Sequence, residues 1–373
     1  MGNTRIGKLE AISFFITIMS NHIILIISKS IVSTTNSSAL INTIYISIVA
    51  LILSYIIYIL LNKFPTFDIL DISNFLGGKT FKCIIGFLFC AYFIFFSATL
   101  LKNFVYCLQI MYYPNTNTFS LLLLFFISAF FICNLKYNAL YRSNLLTIPF
   151  LILSIFLLFL GNFEDFSFDN IFPILGNGIN ETFLYGSSNL FAFQGLIYLL
   201  FLPPHLKDYT ELKKISIISI LLSAIYLVTS IATILFLFNT EVTSTLLMPL
   251  YSAVRYIEFG AFFQRLDSVF ILIWIISFIS YLSLSINTCS NIFKKTTKIQ
   301  SDKSSIILIC FLMLIVTFFS YSYGVSTFLL EIVYKYCFFI ILGISLALLL
   351  LSYFFKNSKS KNLHTINRKK KII

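Results

Sequence analysis

The chain is a succession of long apolar runs joined by short polar connections, and Lys and Arg collect in every second connection while nearly vanishing from those between. A hydrocarbon core about 30 Å thick takes about 20 apolar residues per helical crossing. About ten runs approach or exceed that length: Ala11 to Ile31, Ala39 to Leu61, Cys83 to Ile110, Phe119 to Leu135, Leu145 to Leu160, Thr182 to Pro204, Ile215 to Phe238, Ser268 to Phe293, Ser305 to Tyr321 and Thr327 to Phe355. Hydrophobic residues make up 59% of the chain and charged residues 11%, with a mean hydropathy of +0.95. An ordinary soluble domain carries about 25% charge, so the chain is expected to be an all-α polytopic membrane protein. Residues 1–355 are read as one transmembrane domain and 356–373 as a basic tail.

Cationic loops resist translocation, so the basic connections mark the cytoplasmic side. They are the N-terminus (Arg5, Lys8), the second connection (Lys63, Lys79, Lys82), the fourth (Lys136, Arg142), the sixth (Lys207, Lys213, Lys214), the eighth (Lys294, Lys295, Lys298, Lys303) and the tail from Lys356 to Lys371. The other side keeps Arg255 and Arg265 against Glu164, Asp165, Asp169, Glu181, Glu241, Glu258 and Asp267. An even number of crossings with both termini in the cytoplasm accommodates every connection.

The net charge of +12 is confined to one side of a membrane protein. It is topogenic and attracts anionic lipid, and it is not a nucleic-acid footprint. The first apolar run lacks a small-residue cleavage site and reads as a membrane span, not a cleaved leader. The seven cysteines lie in or beside apolar runs without a CxxC, and read as buried apolar residues. With three scattered histidines and no HExxH, GxSxG or P-loop, the sequence implies no enzyme, cofactor or metal.

Polar side chains at membrane depth are costly and mark candidate sites unless they reach the interface. Lys29 and Lys102 lie toward the outer ends of their runs, where a long stem reaches headgroups. Glu331 and Lys335 have the spacing and order of an intrahelical ion pair. Two interruptions are more central: Ser20-Asn21-His22 in the first run, and Gly186 to Asn189 followed by Phe191, Phe193, Gln194 and Gly195 in the sixth. Transporters built from two inverted five-helix repeats break their first and sixth helices at the midplane, where a small substrate binds. Ten runs divide into two fives, and the interrupted runs begin each half. The candidate ligand-binding residues are therefore Ser20, Asn21, His22, Tyr106, Phe191, Phe193, Gln194 and Gly195. The alternative for Asn21 and Gln194 is hydrogen bonding between helices, for Gly195 close packing, and for His22 an ordinary interior histidine.

After the seventh run Pro249 opens a short amphipathic stretch. Leu250, Val254, Ile257 and Ala261 share one face and Arg255 pairs with Glu258 at i, i+3, so a helix along the interface is expected, with Asp267 as N-cap of the eighth run.

The string PLYSAVRYIEFGAFFQRLD from Pro249 to Asp267, followed by Phe270 and Trp274, resembles the spore germination permease family, the B subunits of endospore nutrient germinant receptors and a branch of the amino acid/polyamine/organocation transporters. Pro249, Arg255, Gly260, Arg265, Asp267 and Trp274 are its motif positions here. Arg142 before the fifth run, Phe64-Pro65, Leu76-Gly77, Phe172 to Leu175, Gly195 and Phe201 to Pro203 agree in order. The resemblance implies a ten-helix transporter-like fold in the spore inner membrane. It also implies work with an A subunit and a lipoprotein C subunit in sensing a small nutrient, often an amino acid. The family favours glycine where Asn21 and Ile23 stand and an acidic residue where Ile197 stands, so a cleanly broken first helix is less expected and an obvious handle for an ammonium group or coupling proton is absent. A secondary amino-acid transporter and a scaffold that binds nothing are the competing expectations.

Overall fold

A helix that is apolar on every face has no side to offer water and belongs at the centre of a bundle. In the computed structural model, which describes residues 5–135, 137–257, 266–297, 299, 301–319 and 332–369, two segments occupy that position. The first is α1 (Lys8–His22), which continues through a π-helical turn at Ile23–Ile27 into α2 (Ser28–Thr35). Every residue from Glu10 to Leu25 is buried. The second is the sixth apolar run, a π-helical turn at Asn180–Leu184, a 3-10 stretch at Tyr185–Phe193 and one short α-helix, labelled α7 below (Gly195–Leu199), of which residues 189–203 are buried while Leu184 and Tyr185 are exposed.

Long helices enclose these two. They are α3 (Ala39–Leu61), α4 (Ile69–Met111), α5 (Thr118–Cys133), α6 (Tyr137–Gly161), α8 (Leu212–Leu237), α11 (Asp267–Thr297), α12 (Asp302–Phe319) and α13 (Phe338–Lys369). The short α9 (Thr240–Thr245) and α10 (Pro249–Arg255) lie between α8 and α11. α1 packs against α6, α8 and α11, α3 against α8, and α4 against α11 and α12. Among the described residues six helical stretches are long and apolar enough to cross a membrane. One of them, Lys8–Leu61, has 54 residues, or about 80 Å at 1.5 Å per residue, more than twice the hydrocarbon thickness. It divides at Asn36, where φ is 51°.

Some elements take a form that the sequence pattern does not give. The interruption of the first run is a π-helical turn whose flanking residues keep α-like dihedrals; Asn21 and Ile23 do not release the chain as glycine would. α4 begins at Ile69, well before Cys83, because the Asp68 carboxylate accepts the Asp71 N–H at 2.9 Å and caps the helix. This early segment and the membrane run are separated by a kink at Gly78, with φ 74° and ψ −167°, a conformation open essentially to glycine alone. At the other end of the chain α13 does not stop at Phe355; its backbone stays helical to Lys369, through much of the expected tail. The connection between the ninth and tenth runs, residues 320–331, lies outside the described residues, and with it the Glu331 half of the expected Glu331–Lys335 pair.

At the end of the bundle that carries the basic connections, the chain is closed. Ile6 lies beside Leu206 as a short parallel bridge, with its N–H donating to the His205 carbonyl (2.8 Å) and its carbonyl accepting from the Lys207 N–H (3.0 Å). Arg142 Nε donates to Glu10 Oε1 at 3.1 Å, and Lys8 pairs with Glu211 at 3.4 Å. Lys295 at the end of α11 reaches Asp68 (2.5 Å) and Asp71 (3.0 Å) at the start of α4. Burial raises the Asp68 carboxyl above its ordinary range against the pull of the Lys295 ammonium. Burial, with Lys295 and Lys294 nearby, lowers His205 to about 4, so its ring is neutral at pH 7 and does not repel the lysines.

The motif segment sits at the opposite end. α10 starts at Pro249 and buries Leu250, Val254 and, just beyond it, Ile257, leaving Arg255 exposed, as the pattern predicts. Glu258, Gly260, Ala261 and Arg265 lie outside the described residues. Asp267 is the first residue of α11 and not its N-cap. Its carboxylate accepts from the Tyr112 hydroxyl (3.1 Å) and lies 3.3 Å from that of Tyr251, tying α11 to α10 and to the end of α4. Further along α11, Trp274 is buried edge-to-face with Phe270. Lys29 also reaches this end, where its Nζ donates to the Leu246 carbonyl at 2.7 Å.

Two glycines of opposite conformational demand give a direct check. Gly78→Ala forces a Cβ onto a positive-φ backbone and is expected to destabilise by about 1–3 kcal/mol, lowering the melting temperature of the detergent-solubilised protein. Gly343→Ala, where nothing stands within 4 Å of a new Cβ, gains about 0.5–1 kcal/mol of helix propensity and raises it.

Candidate functional site

Where α1 passes the 3-10 stretch of the sixth run, elements from across the chain contribute to one buried cluster of aromatic rings. The His22 ring, from α1, lies 4.6 Å from Phe96 of α4, 5.2 Å from Tyr281 of α11 and 5.7 Å from Tyr334 of the π-helical turn at Ile332–Cys337. Phe96 is 4.4 Å from Tyr334 and 5.4 Å from Tyr92, and Phe191 closes the group at 5.8 Å from Tyr334. All of these side chains are buried.

The polar atoms of the cluster divide into two sets. On one side Ser97, Tyr198, Tyr281 and Ser285 satisfy each other: Ser97 Oγ is 2.5 Å from Ser285 Oγ and 3.3 Å from the Tyr281 hydroxyl, and Ser285 Oγ is 3.2 Å from the Tyr198 hydroxyl. Beside them both ring nitrogens of His22 and the hydroxyls of Tyr92 and Tyr334 are buried without a hydrogen-bond partner among the described residues, and so are both side-chain polar atoms of Gln194 in the sixth run. Buried polar groups in native proteins are nearly always paired, and each orphan costs about 1–3 kcal/mol. Among the described residues none of these atoms meets a partner, so each is free to bond to water or to a ligand. The orphans include donors and acceptors, and the rings around them present π-faces that attract a cation.

Of the expected residues, His22 and Phe191 stand in the aromatic cluster, and Gln194, three residues beyond Phe191, is buried with its amide unpaired among the described residues. Asn21 is paired: its Nδ2 donates to the Thr17 carbonyl and to Ser277 Oγ, both at 2.8 Å, joining α1 to α11. Ser20 Oγ bonds back to the Thr17 carbonyl at 3.3 Å. Gly195 serves close packing, since a Cβ there would meet Met19 Sδ and Cε at 3.1 Å. Phe193 is buried in the core. Tyr106 is half-buried on α4, about 15 Å beyond Phe96 along the helix axis, and does not join the cluster.

The Gly186 to Asn189 interruption is likewise structural. Asn189 Nδ2 donates to Thr34 Oγ1 (2.9 Å) and Asn42 Oδ1 (3.0 Å), and Asn42 Nδ2 donates to the Thr182 carbonyl (2.8 Å). These bonds fasten the irregular backbone to α2 and α3.

Sequence reading missed Tyr92, Phe96, Tyr281 and Tyr334. The available signal was depth: membrane-protein tyrosines concentrate at the interfaces, whereas Tyr92 and Tyr281 fall well inside their runs. Among the described residues no group of His, Cys, Asp or Glu is arranged to hold a metal ion.

An all-helical bundle of long apolar helices with an irregular central segment and an enclosed polar cluster defines a transporter-like integral membrane protein. The sequence profile of the spore germination protein family matches residues 6–321, and the chain belongs to that family. Spore germination protein A2 of Bacillus subtilis (strain 168) is 24% identical over 233 residues, 62% of this chain and 64% of that protein, so the match spans less than two thirds of the relative's length. Among solved structures, a Na+-coupled sialic acid symporter in a substrate-bound outward-open state has a TM-score of 0.63 at 13% identity, covering 94% of this chain and 79% of that one. A likeness at that identity concerns the fold alone.

The two amides of the interrupted runs should respond oppositely to loss of polarity. Gln194→Leu removes two unpaired polar atoms at similar volume and is expected to leave the melting temperature of the ligand-free protein unchanged or higher. Asn21→Leu leaves Ser277 unpaired and is expected to cost about 1–3 kcal/mol, read as a lower melting temperature.

Proposed function

We propose that this protein is the nutrient-sensing membrane subunit of a spore germinant receptor, and that the nutrient is a small molecule, most simply an amino acid, held at the cluster around His22 and Gln194. The observation that carries this reading is the set of unpaired buried polar atoms at that cluster, in a protein of the spore germination family. A ligand amide, hydroxyl or carboxylate satisfies Gln194 and His22, and a ligand ammonium lies against the faces of Phe96, Tyr281 and Tyr334.

In this reading the chain makes ten crossings in two inverted five-helix repeats, with both termini in the cytoplasm as the Lys and Arg distribution requires. The end closed by Ile6, Arg142 and Lys295 faces the cytoplasm of the spore, across its inner membrane, and the opposite end faces outward. Nutrient enters from outside and stabilises one packing of α1 and the sixth run over another. An A subunit and a lipoprotein C subunit read that change. A tenfold bias between states takes about 1.4 kcal/mol of differential binding, within the reach of one or two hydrogen bonds at about 0.5–1.5 kcal/mol each.

Spores of the parent organism that carry Gln194→Leu are expected to release dipicolinic acid more slowly, roughly tenfold for a loss of about 1.4 kcal/mol, in response to the one nutrient class this receptor serves. Responses to other nutrients stay normal. A full response to every nutrient, with the variant present at wild-type level in the spore membrane, contradicts the assignment.

A further inference from the structure

Several cations at the basic end of the bundle face a carboxylate: Arg142 has Glu10, Lys8 and Lys214 share Glu211, Lys294 has Asp302, and Lys295 has Asp68 and Asp71. Lys63, just beyond the end of α3, and Lys356, in α13, are arranged otherwise. The Lys63 ammonium stands 5.2 Å from the centre of the Tyr353 ring, and the Lys356 ammonium stands 4.5 Å from that of Phe64 while donating to the Lys63 carbonyl. Two segments far apart in sequence thus each lend the other one cation and one ring. Phe64 is held in turn by Phe67 and Phe75, with ring centres 6.3 and 5.6 Å away. Two ammoniums are thereby fixed at one junction.

Neither lysine makes an ion pair among the described residues. Ring faces and a carbonyl attract an ammonium without cancelling its charge, and each ammonium has three N–H donors, of which the Lys63 carbonyl takes one from Lys356. The sequence after Lys356 adds no neutralising group: residues 357–373 contain Lys, Arg and His but no Asp or Glu. The carboxylates nearest to Lys63 in sequence, Asp68 and Asp71, are held by Lys295.

We infer that this junction of α3 and α13 is a binding site for the headgroup of an anionic phospholipid. Phosphate oxygens accept from the remaining N–H donors of Lys63 and Lys356. The acyl chains lie along the apolar surface that the two helices expose beside it, Ile59 on α3 and Leu351 and Phe354 on α13. The depth fits, since the apolar run of α3 ends at Leu61 and that of α13 at Phe355, so both ammoniums stand where hydrocarbon gives way to headgroups. A zwitterionic headgroup would set its own cation against two ammoniums, whereas an anionic one brings no such charge. Diffuse attraction of a basic face to anionic lipid needs net charge alone; here two cations are held in position by ring and backbone contacts. The bound lipid ties α3 to α13. Its assignment to the cytoplasmic leaflet rests on the topology proposed above, and the site itself does not.

Native mass spectrometry of the full chain in a non-ionic detergent tests the site, with dioleoylphosphatidylglycerol, dioleoylphosphatidylcholine and inorganic phosphate titrated separately and in competition. The first equivalent of phosphatidylglycerol is expected to bind about tenfold more tightly than phosphatidylcholine, and Lys63→Gln and Lys356→Gln are each expected to weaken it about fivefold, the worth of one lysine at an anionic surface. Both side chains are exposed, so neither substitution disturbs the core. Lys303→Gln, which removes another exposed charge at the same end, is expected to leave binding unchanged. Equal affinity for the two lipids, or unchanged affinity in either Lys63→Gln or Lys356→Gln, overturns the site. An equal loss in all three variants reduces the effect to net charge and also overturns it. Displacement of phosphatidylglycerol by inorganic phosphate at equal concentration assigns the junction to a free anion and overturns the lipid site.

Discussion

In hydrocarbon a backbone N–H or C=O has no water to bond to, so irregular backbone persists at membrane depth only where protein surrounds it. The later part of the 3-10 stretch, residues 189–193, is such backbone, buried at every position, whereas Leu184 and Tyr185 at its start are exposed. α3, α2 and α1 pack against it, Asn42 donates to the Thr182 carbonyl, and Asn189, Thr34, Thr182, Ser38 and Asn42 hydrogen-bond side chain to side chain around it. Phe191 and, just beyond the stretch, Gln194 are buried.

The two ends of the bundle are held differently. Closure at the basic end combines a backbone pair, Ile6 with His205 and Lys207, and the charged cluster of Lys295 with Asp68 and Asp71. Both join segments distant in sequence, and both can be broken without unfolding a helix. The opposite end is held by the Tyr112, Tyr251 and Asp267 hydroxyl–carboxylate cluster. The buried aromatic cluster lies between these two ends.

Much of this was legible in the sequence because lipid leaves few choices. Apolar runs located most helices to within a few residues, and the two interrupted runs are irregular in the structure, one at Ile23–Ile27 and the other at Asn180–Phe193. Individual polar residues were less legible. Asn21 and Gln194 look alike as mid-span amides, yet one finds Ser277 across a helix interface and the other finds nothing; that difference is set by partners far away in sequence. Ser188 and Asn189 mark an interruption, but their neighbours Thr34 and Asn42 decide that Asn189 fastens backbone. The early start of α4 was hidden because Asp68, an ordinary loop residue in composition, becomes a buried cap once Lys295 meets it. The aromatic half of the cluster escaped notice since the polar residues in the runs of Tyr92 and Tyr334, Lys102 and Lys335, read as interface-reaching or ion-paired, and the run of Tyr281 carries no charged residue between Ser268 and Phe293.

The central claim is that a nutrient occupies the space among His22, Gln194 and the surrounding rings, and backbone hydrogen exchange tests it most directly. With the protein in nanodiscs, exchange would be followed by mass spectrometry in the presence and absence of the nutrient that germinates the parent spores. Binding at the cluster predicts slower exchange in Ile23–Ile27 and in residues 185–199, whose irregular hydrogen bonds tighten around the ligand. Unchanged exchange in both segments, at a nutrient concentration that saturates germination, would contradict the account.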